Sequence, residues 1–334
     1  MRRRLAIPCG LGAILLAALV GGCAKKLPPP SPDRFPPRLE RIVTRTRTQI
    51  EIEFDEPVEP AETAPDSLVL TGPDGTRLAV RGVSRGRGDS RLLVWTPALG
   101  PGVHEIRGRA VDRDGNAIRF RGRFKASERS DTIAPRVASL DPRPGADRIR
   151  VSPRLTVRFS EPVDTTAGVP WFFVPARLDS LFRRAWDKDW QSFGVGYRDS
   201  LEAGLTAHFV VPTGWRDLEG NLARSAAVTY FSTDSSPDLA LVAGRVSGAD
   251  SVLRGGLVYV EAEGTVAAAA VEPSGRFVLK VRPGSYRAFA VADTSGDGAA
   301  DLSSPVLPFT APAESLSLLL GPADQPLRLD AYRR

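Results

Sequence analysis

Oxygen-bearing side chains recur at near-alternate positions in the run Asp293-Thr294-Ser295-Gly296-Asp297-Gly298-Ala299-Ala300-Asp301. A hard cation such as Ca2+ is held by several oxygen ligands, and glycines permit the sharp turn that gathers them. Asp293, Ser295, Asp297 and Asp301 are the expected Ca2+ ligands. Ser304 stands where an EF-hand loop carries its closing glutamate. The same residues read equally well as an Asx-rich turn whose carboxylates bond their own backbone. Both readings stay open at this point.

A second group is aromatic: Trp171, Phe172, Phe173, Phe182, Trp186, Trp190, Phe193 and Tyr197 crowd into one stretch. Exposed together, Trp171, Trp186 and Trp190 would form a contact surface for a glycan or a protein partner. Turned inward they are core. Leu178, Leu181, Phe182, Ala185 and Trp186 follow helical spacing, which predicts a short amphipathic helix there.

Catalytic constellations are sparse. Gly82-Val83-Ser84-Arg85-Gly86 fits the G-x-S-x-G pattern, but that motif needs a strand-to-helix turn and a histidine nearby. A second β run follows instead, so a hairpin is expected. His104 and His208 are the two histidines, too far apart in sequence to suggest a zinc cluster. Of the two cysteines, Cys9 and Cys23, neither has a metal-site or redox spacing. No catalytic residue is predicted, and the chain reads as a non-enzyme.

The N-terminus explains Cys23. Arg2, Arg3 and Arg4 precede a mostly apolar stretch, Leu5 to Val20, with the proportions of a secretory signal rather than a membrane span. Val20-Gly21-Gly22-Cys23 resembles a bacterial lipobox. That resemblance implies cleavage after residue 22, lipidation of Cys23 and a membrane partner through the lipid. Ala24 is compatible with an outer-membrane destination in the cell envelope. Residues 23–36 form a proline-rich, semi-rigid linker.

The elements that must position everything else are β-strands. Ile50-Glu51-Ile52-Glu53-Phe54 alternates with period two, and short apolar runs separated by Pro-Asp-Gly, Asp-Gly-Asn and Pro-Ser-Gly turns recur along the chain. An internal repeat is visible: 105 residues separate Phe54 from Phe159, and Asn116 from Asn221. Each copy carries F-[DS]-E-P-V and, later, D-x-x-G-N. These motifs resemble bacterial Ig-like domains of surface-layer type over residues 37–126 and 133–235. Glu56, Glu161, Asp112 and Asp217 in them are expected to be structural. Residues 239–322, with Gly244-Arg245-Val246, Ser274-Gly275-Arg276-Phe277 and Pro283-Gly284-Ser285-Tyr286, resemble a carboxypeptidase regulatory-like (transthyretin-like) domain. Residues 323–334 read as a tail.

The expected fold class is therefore all-β: three β-sandwich domains in series after a lipoprotein signal peptide. The net charge of +6 includes three signal arginines, and no dense basic block points to nucleic acid. The expected role is structural, adhesive or scaffolding, with an envelope protein or a glycan as partner. The alternatives are a glycan- or polymer-binding surface lipoprotein and an accessory lipoprotein of an envelope export machine.

Overall fold

The computed structural model describes residues 34–59, 67–86, 88–187, 191–235, 237–248, 253, 255–324 and 327–333. The predicted signal segment, Cys23 and Trp190 lie outside the described residues.

The first module contains β1 (Leu39–Thr46), β2 (Gln49–Phe54), β3 (Val69–Thr71), β4 (Arg77–Leu78), β5 (Gly82–Arg85), β6 (Arg91–Trp95), β7 (Val103–Val111) and β8 (Ala117–Lys125). One sheet runs β1-β2-β6-β5 and the other β4-β3-β7-β8. The alternation in β2 puts Ile50, Ile52 and Phe54 into the core with Leu92, Val94, Ile106 and Phe120. Glu53, on the opposite face, accepts hydrogen bonds from Arg41 and Arg91 on the neighbouring strands.

The second module repeats this plan with β9 (Val137–Asp141), β10 (Arg154–Phe159), β11 (Phe172–Val174), β12 (Arg183–Trp186), β13 (Ser192–Gly196), β14 (Thr206–Val211) and β15 (Ala227–Ser232). Its sheets run β12-β13-β10-β9 and β11-β14-β15, the same order as in the first module with one short strand fewer. Phe159, Phe173, Phe193, Phe209, Trp215 and Phe231 fill its core. The predicted helix near Leu178 is absent. A 3-10 turn over Ala176–Leu178 leads into β12, which pairs antiparallel with β13. Leu178 and Phe182 both reach the core from this turn, so their four-residue spacing mimics a helix.

The third module has β16 (Ala240–Ser247), β17 (Gly256–Glu261), β18 (Thr265–Ala270), β19 (Arg276–Val281), β20 (Gly284–Ala292), β21 (Leu302–Ser303), β22 (Leu307–Ala311), β23 (Ala313–Leu319) and β24 (Gly321–Pro322). A three-stranded sheet, β19-β16-β23, faces a sheet ordered β18-β17-β20-β21-β24, with β22 also on β20. The pairing of β16 with β23 is parallel. The chain is thus all-β, with Ig-like sandwiches in series.

A fourth hydrophobic cluster belongs to no single module. Phe172, Val174 and Val210 of the second module pack with Leu257, Tyr259, Ala268, Phe289 and Val291 of the third. The sheet β11-β14-β15 is therefore buried on both faces: Phe173 and Phe209 point into its own core, Phe172 and Val210 into the neighbour. Of residues 323–334, expected to be a tail, Leu329 contributes to this cluster. Leu329 is buried in it, and the Tyr259 hydroxyl donates to the Leu329 carbonyl at 2.7 Å. Its apolar side chain gives the segment a reason to dock.

Candidate functional site

The repeated motifs meet each other in both Ig-like copies. Val58 forms an isolated bridge with Asp112, and Val163 forms the corresponding bridge with Asp217. Asp112 Oδ1 accepts the N–H groups of Asp114 and Asn116 at 2.9 and 2.8 Å, and its Oδ2 accepts from Asn116 Nδ2. Asp217 does the same with Glu219 and Asn221 at 2.9 and 2.8 Å. Gly115 and Gly220 supply φ values of 89° and 90°, which an L-residue with a side chain resists.

Their electrostatics differ. Burial disfavours the charged form of Asp112, but the Asn116, Asp114 and Gly115 donors outweigh it and hold the carboxyl below its ordinary value. At Asp217 burial wins over the same donors, helped by the negative charge of Asp131, and the carboxyl is pushed up. The second copy has a reason for this. Asp131, Glu161 and Asp217 bring carboxylate oxygens within 4.8 Å of one another beside the joint with the first module. Burial first, then the charges of Asp131 and Asp217, push Glu161 up to about 8. Among the described residues this is the one grouping with metal-ligand proximity.

The same joint is held by Glu219, the middle acid of the D-L-E-G-N turn. Its carboxylate accepts from Arg47 Nε and from Thr48 Oγ1, each at 3.0 Å. Asn221 Nδ2 also donates to the Asp131 carbonyl at 3.1 Å. Sequence reasoning missed Glu219. The available signal was its extra methylene relative to the exposed Asp114 at the same place in the first copy.

The Asp293–Asp301 loop is closed on itself. Asp293 accepts from Gly296 N at 2.6 Å, Gly298 N at 2.9 Å and the Ser295 hydroxyl at 3.2 Å. Asp301 Oδ2 accepts from Thr294 N, Thr294 Oγ1 and Ser295 N, and Asp297 accepts from Ala299 N. These bonds point the oxygens at backbone N–H groups instead of a common centre, which is the geometry of the Asx-rich turn. The loop leans on the second module, where Thr213 Oγ1 lies 3.4 Å from Asp293 Oδ2.

Trp171 and Trp186 do not form an exposed platform. Both are half-buried against their own core. Trp171 meets Phe173 and Phe209 at centroid distances of 6.0 Å. Trp186 meets Phe193 at 5.0 Å, under the Arg184 guanidinium. Ser84 lies on β5, as the hairpin reading expects, and its hydroxyl accepts from Trp95 Nε1 at 2.9 Å. His104 is buried, stacked on Phe124.

Residues 131–233 match the bacterial Ig-like domain. Residues 35–127 match the CopC domain, so the two copies of one sheet order fall to two family models. No curated protein matches the chain. Among solved structures, the N-terminal part of the bacterial S-layer protein SbsC is 12% identical, with a TM-score of 0.27, over 59% of this chain and 44% of its own. CopC from Methylosinus trichosporium OB3b is 16% identical over 29% of this chain and 99% of its own, with a TM-score of 0.22. PcoC, a methionine-rich copper resistance protein from Escherichia coli, is 18% identical over 27% and 96%, at 0.23. The chain spans less than half of the SbsC fragment.

Copper favours thiolate, thioether and imidazole donors. Within 35–127 the sequence offers one, His104, and no methionine or cysteine. His104 is buried with its Nδ1 3.4 Å from the Gly102 carbonyl oxygen. The residues present do not fit a copper site.

Proposed function

We propose that this chain is a lipid-anchored, non-enzymatic protein of the cell envelope that serves as a rigid scaffold. Cys23 carries the lipid, residues 23–36 space the modules from the membrane, and residues 239–322 are a carboxypeptidase regulatory-like module. The observation that carries the scaffold reading is the shared core between the second and third modules. A cluster containing Phe172, Val174, Val210, Leu257, Tyr259 and Phe289 makes one body of two sandwiches. Enzymes instead keep reactive groups in open clefts, whereas Ser84 and His104 are spent on internal contacts here. The matches to bacterial Ig-like and CopC domains fit an extracytoplasmic location in the same way, and neither domain is enzymatic. Ca2+ at the Asp293 loop is not part of this reading, because its carboxylates are taken up by the loop's own donors.

The test is metabolic labelling with an alkyne fatty acid, followed by membrane fractionation of the native chain and of Cys23→Ser. Label and membrane association on the native chain, both lost in the variant, support the anchor. In-cell crosslinking of the labelled protein then asks for a stoichiometric envelope partner. A native chain that is secreted without label would remove the anchored scaffold.

A further inference from the structure

The outward positions of the hairpin β7–β8 carry Arg107, Arg109, Arg119, Arg121, Arg123 and Lys125 against one acid, Glu105. All of these cations are exposed, while Ile106, Ala110, Phe120 and Phe124 fill the inward positions. The register sets Arg107 directly opposite Arg121 and Arg109 directly opposite Arg119. Like charges facing each other across a strand pair destabilise the sheet. Glu105 offsets part of this, accepting from Arg121 Nε and Nη2 at 2.8 and 2.9 Å and from Arg123 Nε at 3.3 Å. Both arginines remain open to solvent, at 67% and 73%. Arg107, Arg109 and Arg119 have no ion pair among the described residues. The whole chain's net charge is +6, so one hairpin face holds a charge comparable to that of the entire molecule.

In the second module the same sheet is β11-β14-β15, and its outward side chains Phe172, Val174 and Val210 are buried under the third module. The fold thus uses this face for docking once already, with an apolar partner from within the chain. In the first module the face is cationic and exposed, which selects an anionic partner from outside it. Alternate residues of a strand stand roughly 7 Å apart and neighbouring strands about 5 Å, so the guanidinium groups spread over a flat surface. No outward position of the hairpin is aromatic, so bases find no stacking platform. Guanidinium forks match phosphate oxygens bidentately. The face also lies where the chain enters the module. Thr44 Oγ1 donates to the Lys125 carbonyl at 3.0 Å, and a Cβ on Gly122 would run into Leu39 and Ile42, so β1 begins beside β8. Residues 23–36 span no more than about 50 Å, so a lipid on Cys23 leaves the first module room to turn and keeps this face near the bilayer.

We propose that the outward face of β7–β8 docks on a membrane surface of anionic phospholipid, with Arg107, Arg109 and Arg119 on headgroup phosphates. A basic patch adds a second attachment to an acyl anchor and fixes which way the module faces. The proposal rests on the lipid-anchor reading for the nearness of a membrane, whereas the affinity of the face needs no acyl group.

The experiment uses the chain from residue 23 with Cys23→Ser, which carries neither signal segment nor acyl group. Residues 36–334 form one compact unit and are all retained in it. Co-flotation is measured with vesicles of phosphatidylcholine alone and of phosphatidylcholine with about 30% phosphatidylglycerol. Binding to the anionic vesicles is expected to be at least about tenfold tighter, and to fall about tenfold between ~0.1 M and ~0.5 M salt. Arg107→Gln combined with Arg119→Gln should weaken it about tenfold or more. Tm should hold or rise in that variant, because it relieves both opposed arginine pairs. Arg158→Gln combined with Arg276→Gln removes the same charge from exposed strand positions of the second and third modules, and should change binding less than about twofold. The proposal is overturned if neutral and anionic vesicles bind alike, or if this second pair weakens binding as much as the first. It is also overturned if polygalacturonate, an acidic glycan without phosphate, displaces the chain from the vesicles at equal charge. Because no acyl group is present, a native chain that takes up no lipid label would remove the anchor and leave these outcomes standing.

Discussion

Arg47 Nε donates to Glu219 Oε2 at 3.0 Å, so the β1–β2 turn of the first module is tied to the D-L-E-G-N turn of the second. Thr48 Oγ1 shares the same carboxylate. The Glu219 side chain is 4% exposed and that of Arg47 43%, which places this pair between a surface ion pair and a buried one. A double-mutant cycle of Arg47→Ala and Glu219→Ala should return a coupling of about 1–2 kcal/mol by denaturant unfolding. Additive single effects would show that the contact does not couple the modules.

The acidic trio makes stability depend on pH in a defined direction. The folded-state pKa of Glu161 is raised to about 8 from 4.5, so the folded chain holds a proton there that the unfolded chain has released. The associated stability is fully present below pH 4.5 and is lost as the pH rises through about 8. Tm measured from pH 6 to pH 9 should fall by several degrees more for the native chain than for Glu161→Gln. Parallel curves would assign the titration to another group.

Asp293 is a structural acid. Its oxygens accept from Gly296, Gly298 and Ser295 within the loop, and Thr213 approaches from the second module. Asp293→Ala should cost about 1–2 kcal/mol, because part-buried donors lose their acceptor. EDTA should leave the native Tm unchanged to within about 1 °C. A Ca2+-dependent rise in Tm that Asp293→Ala abolishes would restore the cation reading of this loop.

The shared core predicts joint unfolding. Leu257 is fully buried in it, and Leu257→Ala should destabilise by about 2–4 kcal/mol. Calorimetry should show the second and third modules melting in one transition in the native chain. In the variant that transition should broaden or split. Tyr259→Phe removes the bond to Leu329 and should cost about 1 kcal/mol while exposing the C-terminal segment to carboxypeptidase.

Much of the architecture was legible because the repeat was. The pairs Phe54 and Phe159, and Asn116 and Asn221, sit at matching places in two sheets of the same order. The structural reading of Asp112 and Asp217 followed from turn chemistry alone. The shared core was not anticipated, although its signal is plain. Phe172-Phe173-Val174, Phe209-Val210-Val211 and Leu257–Val260 are continuous apolar runs, the mark of strands covered on both faces. The setting of His208 was beyond reach, since the Ala268 carbonyl that its ring meets lies sixty residues further along the chain. Aromatic density drew attention to Trp171 and Trp186, where internal packing accounts for the side chains.

The parallel pairing of β16 with β23 joins the first and last long strands of the third module, with Val242 beside Ala313 and Ser247 beside Leu319. Tension applied at opposite ends of two parallel neighbours loads their hydrogen bonds in shear, all together, whereas an antiparallel hairpin pulled from its open end unzips one bond at a time. Once the short β24 and the Leu329 segment peel away, a tug on the C-terminus meets this clamp. A chain fixed at one end and grasped at the other would load β16 and β23 in shear.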